Sequence, residues 1–271
     1  MDNLFNLSGR VAVVTGGSGA LGTEFCRGLA EAGATVVVLA RNQERVDNVA
    51  GDIRASGGTA MSVTADVLQK NQLMDVRDAV LDRFGRIDIL VNGAGGNVDA
   101  ATLKPGDSIF NLSEAAFRRV FDLNLIGTIL PTQVFGEVMS KAGSGSIVNV
   151  SSMAADRTLT RVIGYSAAKA SVENFTRWMS VELARTYGDG LRVNAIAPGF
   201  FIGEQNRDLL LNEDETLTDR GQTIIDHTPM GRFGKAEELV GTLVWLSSEA
   251  SSFVSGIVVP VDGGFSAFSG V

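Results

Sequence analysis

Three consecutive stretches constrain this chain more than any other: Arg10-Val-Ala-Val-Val-Thr15, Gly16-Gly-Ser-Gly-Ala-Leu-Gly22 and Gly33-Ala-Thr-Val-Val-Val-Leu-Ala40. The first is a short apolar, β-branched run that reads as a buried strand. A helical pattern follows the glycine cluster to about Ala32, and the third stretch reads as a second strand. Strand, glycine loop, helix and strand form a βαβ unit of the kind that holds a dinucleotide. In Gly17-x-Gly19-x-x-Gly22 the glycines let the backbone turn tightly and approach a pyrophosphate. The N–H groups opening the helix then face the negative charge. Gly16, Gly17, Ser18, Gly19, Ala20, Leu21 and Gly22 are the resulting cofactor candidates. The bland alternative, a chance glycine-rich turn, does not account for the strand before it and the helix after it.

The end of the second strand is where an acidic residue would grip a ribose 2′-hydroxyl. Here the sequence is Leu39-Ala40-Arg41-Asn42, with an arginine and no carboxylate. Arg41 predicts a preference for NADP(H) over NAD(H); the alternative is a solvated residue at the start of the next helix. The alternation continues with a helix over 43–55, a strand over 59–64 ending at Asp66, a helix over 71–84 and a strand over 86–91 ending at Asn92. Repeated β and α elements predict a parallel sheet covered on both faces. Asp66 and Asn92 fall at strand carboxyl ends, where ligands bind. Asp66 suits an adenine amino group, or a helix N-cap. The expected fold is α/β: one doubly wound domain over residues 1–271, with a sheet of about seven strands.

A second feature lies past the middle of the chain. Tyr165 and Lys169 are four apart in a helical stretch from about Val162 to Tyr187, so their side chains share a face. A neighbouring ammonium favours a phenolate, which suits acid–base chemistry on a substrate oxygen. Upstream, a predicted strand ends in Ser151 and Ser152. By itself the pair also fits ordinary helix surface. A long helix is expected over 113–141, kinked at Pro131. Within it Asn124 is either the bridge to a water chain or an ordinary helix-bending asparagine. Residues 200–230 form the most polar and least regular stretch.

Composition narrows the function classes. The net charge of −8 lacks the basic footprint of a nucleic-acid binder. One cysteine and one histidine exclude a disulfide framework, a zinc cluster and a histidine-based triad, and no metal site is expected. No apolar run approaches the roughly 18–20 residues that cross a bilayer. No basic-then-apolar leader opens the chain, so a cytoplasmic location is expected.

Taken jointly, these motifs resemble the short-chain dehydrogenase/reductase family over essentially the whole length. They are Thr15–Gly22, Asp66, Asn92-Gly-Ala-Gly95, Asn124, Ser152 with Tyr165 thirteen residues later and Lys169 four beyond, Pro198-Gly199 and Asp262-Gly-Gly264. The resemblance implies a Rossmann-type fold and an NAD(P)-dependent oxidoreductase acting on a carbonyl or secondary alcohol. Tyr165 would exchange the proton and Ser152, not Ser151, would bond the substrate oxygen. Lys169 would bind the nicotinamide ribose and lower the tyrosine pKa, and Asn124 would hold a water leading to solvent. Val67, Gly93, Ala94, Pro198, Gly199, Phe201 and Ile202 join Tyr165 and Lys169 around the cofactor. A homotetramer or dimer is also implied.

Three departures stand out: Ala20 and Gly93 where the family usually has glycine and asparagine, and Gly203 where it has a threonine contacting the carboxamide. Within the family, Pro198–Leu210, Asn212–Asp214, His227–Gly234 and Val261–Val271 resemble the D-mannonate oxidoreductase (fructuronate reductase) branch. That implies a sugar-acid substrate and a substrate lid near residues 200–230. Gln205, Arg207, Arg157 and Arg161 are then rival partners for its hydroxyls and carboxylate, each with a solvated alternative. His227 reads as a lid or subunit-contact residue. Other readings are a gluconate, polyol or 3-ketoacyl-thioester reductase and, in a different class, a non-catalytic dinucleotide sensor.

Overall fold

A computed structural model describes residues 4–203 and 206–270. The strands are β1 (Val11–Thr15), β2 (Thr35–Ala40), β3 (Thr59–Thr64), β4 (Ile89–Asn92), β5 (Gly145–Val150), β6 (Leu191–Pro198) and β7 (Val258–Val261). They form one parallel sheet in the order 3-2-1-4-5-6-7. The helices are α1 (Ala20–Glu31), α2 (Gln43–Ala55), α3 (Lys70–Phe84), α4 (Glu114–Phe121), α5 (Gly127–Ala142), α6 (Ile163–Tyr187), α7 (Arg207–Leu210), α8 (Asp219–Asp226) and α9 (Val240–Ser247).

Strand side chains alternate between two separate cores, as the pleat requires. Ala12 and Val14 of β1 pack with Phe25, Cys26 and Leu29 of α1, Val46 and Ile53 of α2, and Leu243 of α9. Val11 and Val13 face Leu73 and Val80 of α3, Phe135 and Met139 of α5, and Leu183 of α6. The expected single doubly wound sheet is present. The order in which the strands are added reverses between β1 and β4, so their carboxyl ends open a crevice at a topological switch point.

Two local expectations are corrected. The predicted 113–141 helix is interrupted at Asp122–Ile126 by a π turn, one turn ahead of Pro131, which lies inside a continuous α5. Side chains serve the carbonyls that this irregularity affects. Asn124 Nδ2 donates to the Val120 carbonyl and the Thr128 hydroxyl donates to that of Asn124, each at 2.8 Å. Residues 206–228 are also more ordered than their polarity suggests. An antiparallel bridge pairs Leu211 with Leu217, and Thr218 caps α8 by accepting from Gly221 N–H at 3.0 Å. A methyl on Gly221 would lie 2.3 Å from the Leu210 carbonyl oxygen, so glycine is what lets α8 sit on the end of α7.

Candidate active site

The crevice is built from backbone. Gly16 has φ +67, a left-handed conformation that glycine adopts without strain. A methyl there would lie 2.8 Å from the Ala94 nitrogen, and one on Gly22 would lie 2.1 Å from the Gly16 oxygen. A Cβ on Gly93 would come within 2.8 Å of the Thr15 oxygen, so glycine lets the two loops approach closely here. The two loops are cross-tied where Ala94 N–H donates to the Thr15 hydroxyl at 3.2 Å. Helix α1 opens at Gly19 with no side-chain cap, so its first N–H groups point into the crevice without a side-chain acceptor. That is the arrangement an anion completes.

The remaining cofactor candidates divide into those at the rim and those inside. Arg41 stands exposed just beyond β2. Asp66 acts in a turn: its Oδ1 accepts from Leu68 N–H at 2.9 Å and its own N–H donates to Gln72 Oε1 at 2.8 Å. Val67 is buried against Gly127. The Asn92 side chain points into the interior. Its amide nitrogen donates to Thr132 Oγ1 at 3.0 Å and to Asn149 Oδ1 at 2.8 Å, with the side chain 1% exposed. Asn149 continues this buried polar ladder to Thr176 Oγ1 at 2.8 Å. Asn92 lies directly opposite Asn149 in the register, which lets its amide nitrogen reach Asn149 Oδ1, while its own Oδ1 is buried without a partner among the described residues. Gly199 donates to the Val261 carbonyl at 3.0 Å, locking the end of β6 to β7.

Tyr165, Ser152 and Lys169 meet above the carboxyl end of β5. The Ser152 hydroxyl lies close enough to Tyr165 to favour its phenolate and accepts from Ala154 N–H at 3.2 Å, whereas the Ser151 hydroxyl turns away and donates to Glu173 Oε1 at 2.9 Å. Lys169 is 4% exposed and donates to the Val150 carbonyl at 2.7 Å. Burial brings its amine down to about 8. The expected lowering of the tyrosine pKa is not observed in the chain alone. Burial raises the phenol above its ordinary value, and the Ser152 hydrogen bond only partly opposes this. Lys169 Nζ lies 5.7 Å from the ring centroid, over the face rather than at the hydroxyl. Asn124, fully buried, exchanges hydrogen bonds with Gly96: its Oδ1 accepts at 3.0 Å and its Nδ2 donates at 2.8 Å. Gly95 threads between, since a Cβ there would lie 2.7 Å from Asn124 Oδ1 and 3.0 Å from Lys169 Nζ. The π turn thus pins the β4 loop beside the buried lysine.

The substrate candidates separate cleanly. Arg157 donates through Nε to the Ser266 carbonyl at 2.8 Å and through Nη2 to the same oxygen, tying down the C-terminal segment. Arg207 is ion-paired with Glu215. Gln205 lies outside the described residues. The Arg161 guanidinium has neither an ion pair nor a hydrogen bond among the described residues. His227 closes α8, with Nδ1 donating to the Thr223 carbonyl at 2.7 Å. Asn206, which lies within the Pro198–Leu210 stretch of the branch resemblance, organises the segment after Pro198-Gly199. Its Nδ2 donates to the Phe201 carbonyl at 2.9 Å and its Oδ1 accepts from Gly203 N–H at 2.8 Å. Two of the sequence departures are neighbours: a Cβ on Gly203 would lie 3.3 Å from that of Ala20.

A family model for short chain dehydrogenases matches residues 10–213. The chain belongs to that family. An uncharacterized oxidoreductase of Bacillus subtilis, UxuB, is 51% identical over 98% of each chain. A Haemophilus influenzae structure holding NAD, provisionally assigned as a D-mannonate oxidoreductase, superposes with a TM-score of 0.91 at 43% identity, covering 98% of both chains. A Burkholderia cenocepacia gluconate 5-dehydrogenase, in complex with NADP and tartrate, gives 0.87 at 32% identity and 98% of both. The family and branch resemblance read from the motifs is therefore borne out.

This short-chain dehydrogenase is an NAD(P)-dependent oxidoreductase acting on CH–OH groups or their carbonyls. The residues present fit such a cofactor. The glycine positions that would clash if they carried a Cβ leave the backbone bare at the α1 N-terminus, and a buried amine lies beside it. When bound, the nicotinamide supplies or accepts the hydride. Asn206 carried a weak signal in sequence, an asparagine three residues after a glycine, the spacing of a side-chain-closed turn. The Asn92–Asn149–Thr176 ladder carried none, because it depends on strand register.

Proposed function

We propose that this dehydrogenase interconverts a keto sugar acid and the corresponding hydroxy acid, of the fructuronate–mannonate type. One observation carries the anionic substrate: Arg161, four residues before Tyr165, keeps its guanidinium free of any carboxylate among the described residues, while Arg157 and Arg207 are engaged. Tyr165 delivers or removes the proton at the reacting oxygen, and Ser152 bonds that oxygen and orients the phenol. Lys169 holds the nicotinamide ribose from its buried position, and Asn124 fixes the β4 loop beside it. The backbone of Phe201 or Ile202 serves the carboxamide in place of the missing threonine at 203. Arg41 favours NADP(H) through a 2′-phosphate. Residues 206–228 act as the lid, in a cytoplasmic homotetramer or dimer. Among the described residues no helix is long and apolar enough to cross a membrane.

A gluconate-type substrate is the second reading, favoured by the similarity to the Burkholderia enzyme; a free arginine serves any aldonate carboxylate equally. The test follows absorbance of the reduced nicotinamide with both cofactors. The panel is fructuronate, mannonate, gluconate, 5-ketogluconate and a 3-ketoacyl thioester. Turnover concentrated on the fructuronate–mannonate pair supports the first reading. Turnover confined to the gluconate pair replaces it with the second, and turnover confined to the thioester removes the sugar acid.

A further inference from the structure

Arginines of this chain are mostly engaged. Arg10 pairs with Glu249, Arg27 with Glu24 and Asp52, Arg86 with Asp88, and Arg232 with Glu238. Arg192 is buried and donates to the carbonyls of Leu246 and Ser248. Several exposed arginines have no acidic partner among the described residues, but two that are half-buried lack one as well, and they are neighbours. Arg220, on α8, donates from Nη1 to the hydroxyl of Thr160 at 3.2 Å, which places it against the loop that carries Arg161. Neither has an acidic partner among the described residues. Each is half-buried, and burial, with a smaller contribution from the charge of Arg161, pushes Arg220 below its ordinary value.

The backbone at this point is also unusual. Arg161 has φ +76, a left-handed conformation uncommon for a residue with a side chain. It is held there by Leu103 N–H, which donates to the Arg161 carbonyl at 3.0 Å. Strained residues persist where the surroundings over-determine them, and they cluster at ligand sites. Here three separate elements converge on one pair of like charges: the loop before α4, the loop before α6, and α8. Two guanidiniums set side by side repel unless an anion lies between them. A carboxylate fits, because its two oxygens can each accept from one planar fork.

The geometry points to a two-arginine clamp for the substrate carboxylate, Arg161 from the loop leading into the catalytic helix and Arg220 from α8. The clamp rests on the sugar-acid reading above and extends it by assigning specificity to a residue outside every motif. An acidic substrate bridges α8 to the loop that leads into Tyr165, so its carboxylate draws the lid onto the site. An uncharged polyol or ketose leaves two guanidiniums facing each other and is discriminated against for that reason.

The test uses calorimetric titration of mannonate into the NADPH-loaded enzyme, a complex in which no hydride can transfer, alongside kinetics of fructuronate reduction. Arg220→Met is expected to weaken mannonate about tenfold to a hundredfold, the range for losing a charge-assisted bond. It should raise KM for fructuronate more than it lowers kcat. Arg220→Lys should recover part of the loss. The preference for mannonate over uncharged mannitol should shrink in parallel, while NADPH binds as in the wild type. Arg161→Met should act on the same ligand; because its backbone is strained, Arg220→Met is the deciding variant. Mannonate affinity within twofold of wild type in Arg220→Met overturns the clamp, as does a wild type that binds mannitol as tightly as mannonate. A wild type specific for gluconate, with Arg220→Met weakening gluconate instead, upholds the clamp and retires only the fructuronate–mannonate reading.

Discussion

The crevice between β1 and β4 and the segment 206–228 line the same site by opposite means. On the crevice side the contacts are backbone to backbone, and what matters is the side chain that is missing. At Gly16, Gly22 and Gly93 a single methyl would approach a neighbouring main-chain atom within 2.8 Å or less. On the other side the contacts are made by long polar side chains, and what matters is which partner each one finds. Arg207 reaches Glu215, Arg157 reaches Ser266, and Arg220 reaches Thr160. A cofactor shared by a whole family is met by invariant geometry, whereas a substrate peculiar to one branch is met by side chains that can be exchanged without disturbing the sheet.

The residue common to both sides gives the largest expected effect. Tyr165→Phe should lower kcat by about a hundredfold to ten-thousandfold, the range for removing an acid–base group. Cofactor affinity, measured by quenching of protein fluorescence, should stay within about threefold, because the cradle is backbone. Turnover that survives would remove Tyr165 from the chemistry. A large loss of cofactor affinity would show that the two sides are not separable at this residue.

The same contrast decides how much could be read without coordinates. The sheet, its order of elements and the glycine loop were legible, because hydrophobic period and glycine spacing are local signals. The helix over 43–55 and the strand over 59–64 fall where those signals put them. Ser152, Tyr165 and Lys169 were legible as a spacing, and the structure brings them together. The π turn was not, since Pro131 points to the wrong turn of the helix and only Asn124's tie to Gly96 explains the irregularity. Asn92 was legible as a strand end, but the inward bond of its side chain to Asn149 depends on strand register. The choice among Arg157, Arg161 and Arg207, and the presence of Arg220, depend on tertiary neighbours that no spacing encodes.

Lys169 sits where the two sides meet, and its burial has a measurable consequence. Its folded-state pKa is about 8, against 10.5 for a free lysine. Between these values the unfolded chain holds a proton that the folded chain does not, so stability rises with pH across that window. Below about pH 8 the buried ammonium destabilises the fold, by up to about 3 kcal/mol for a shift of this size. Lys169→Met lacks the group. Chemical denaturation should therefore show wild type gaining on the variant by a few kcal/mol between pH 7.5 and 10, whatever their difference at pH 7. Parallel stability curves would mean that the amine is better solvated than its 4% exposure implies.

A methyl on the crevice side should act more narrowly. Gly22→Ala places a Cβ at 2.1 Å from the Gly16 oxygen. The loop must move, at the cost of about 1–3 kcal/mol typical of overpacking. Cofactor affinity should fall about tenfold to a hundredfold for NADH and NADPH alike, since the backbone they share is what shifts. An unchanged affinity would mean that α1 can slide along the sheet to absorb the methyl.

Arg41 is an exposed side chain to which recognition is assigned on the crevice side, and so it should give the smallest effect. It is exposed at the end of β2, where an ionic contact is weakened by solvent and contributes about 1 kcal/mol or less. Arg41→Ala should weaken NADPH by about fivefold and leave NADH within twofold. The NADPH loss should shrink as ionic strength rises toward 1 M, where charges are screened beyond about 3 Å. Equal weakening of both cofactors would place Arg41 at the shared adenosine or in the fold itself. No change in either would leave the cofactor preference to the backbone alone, and the exchangeable side chains would then be confined to the substrate side.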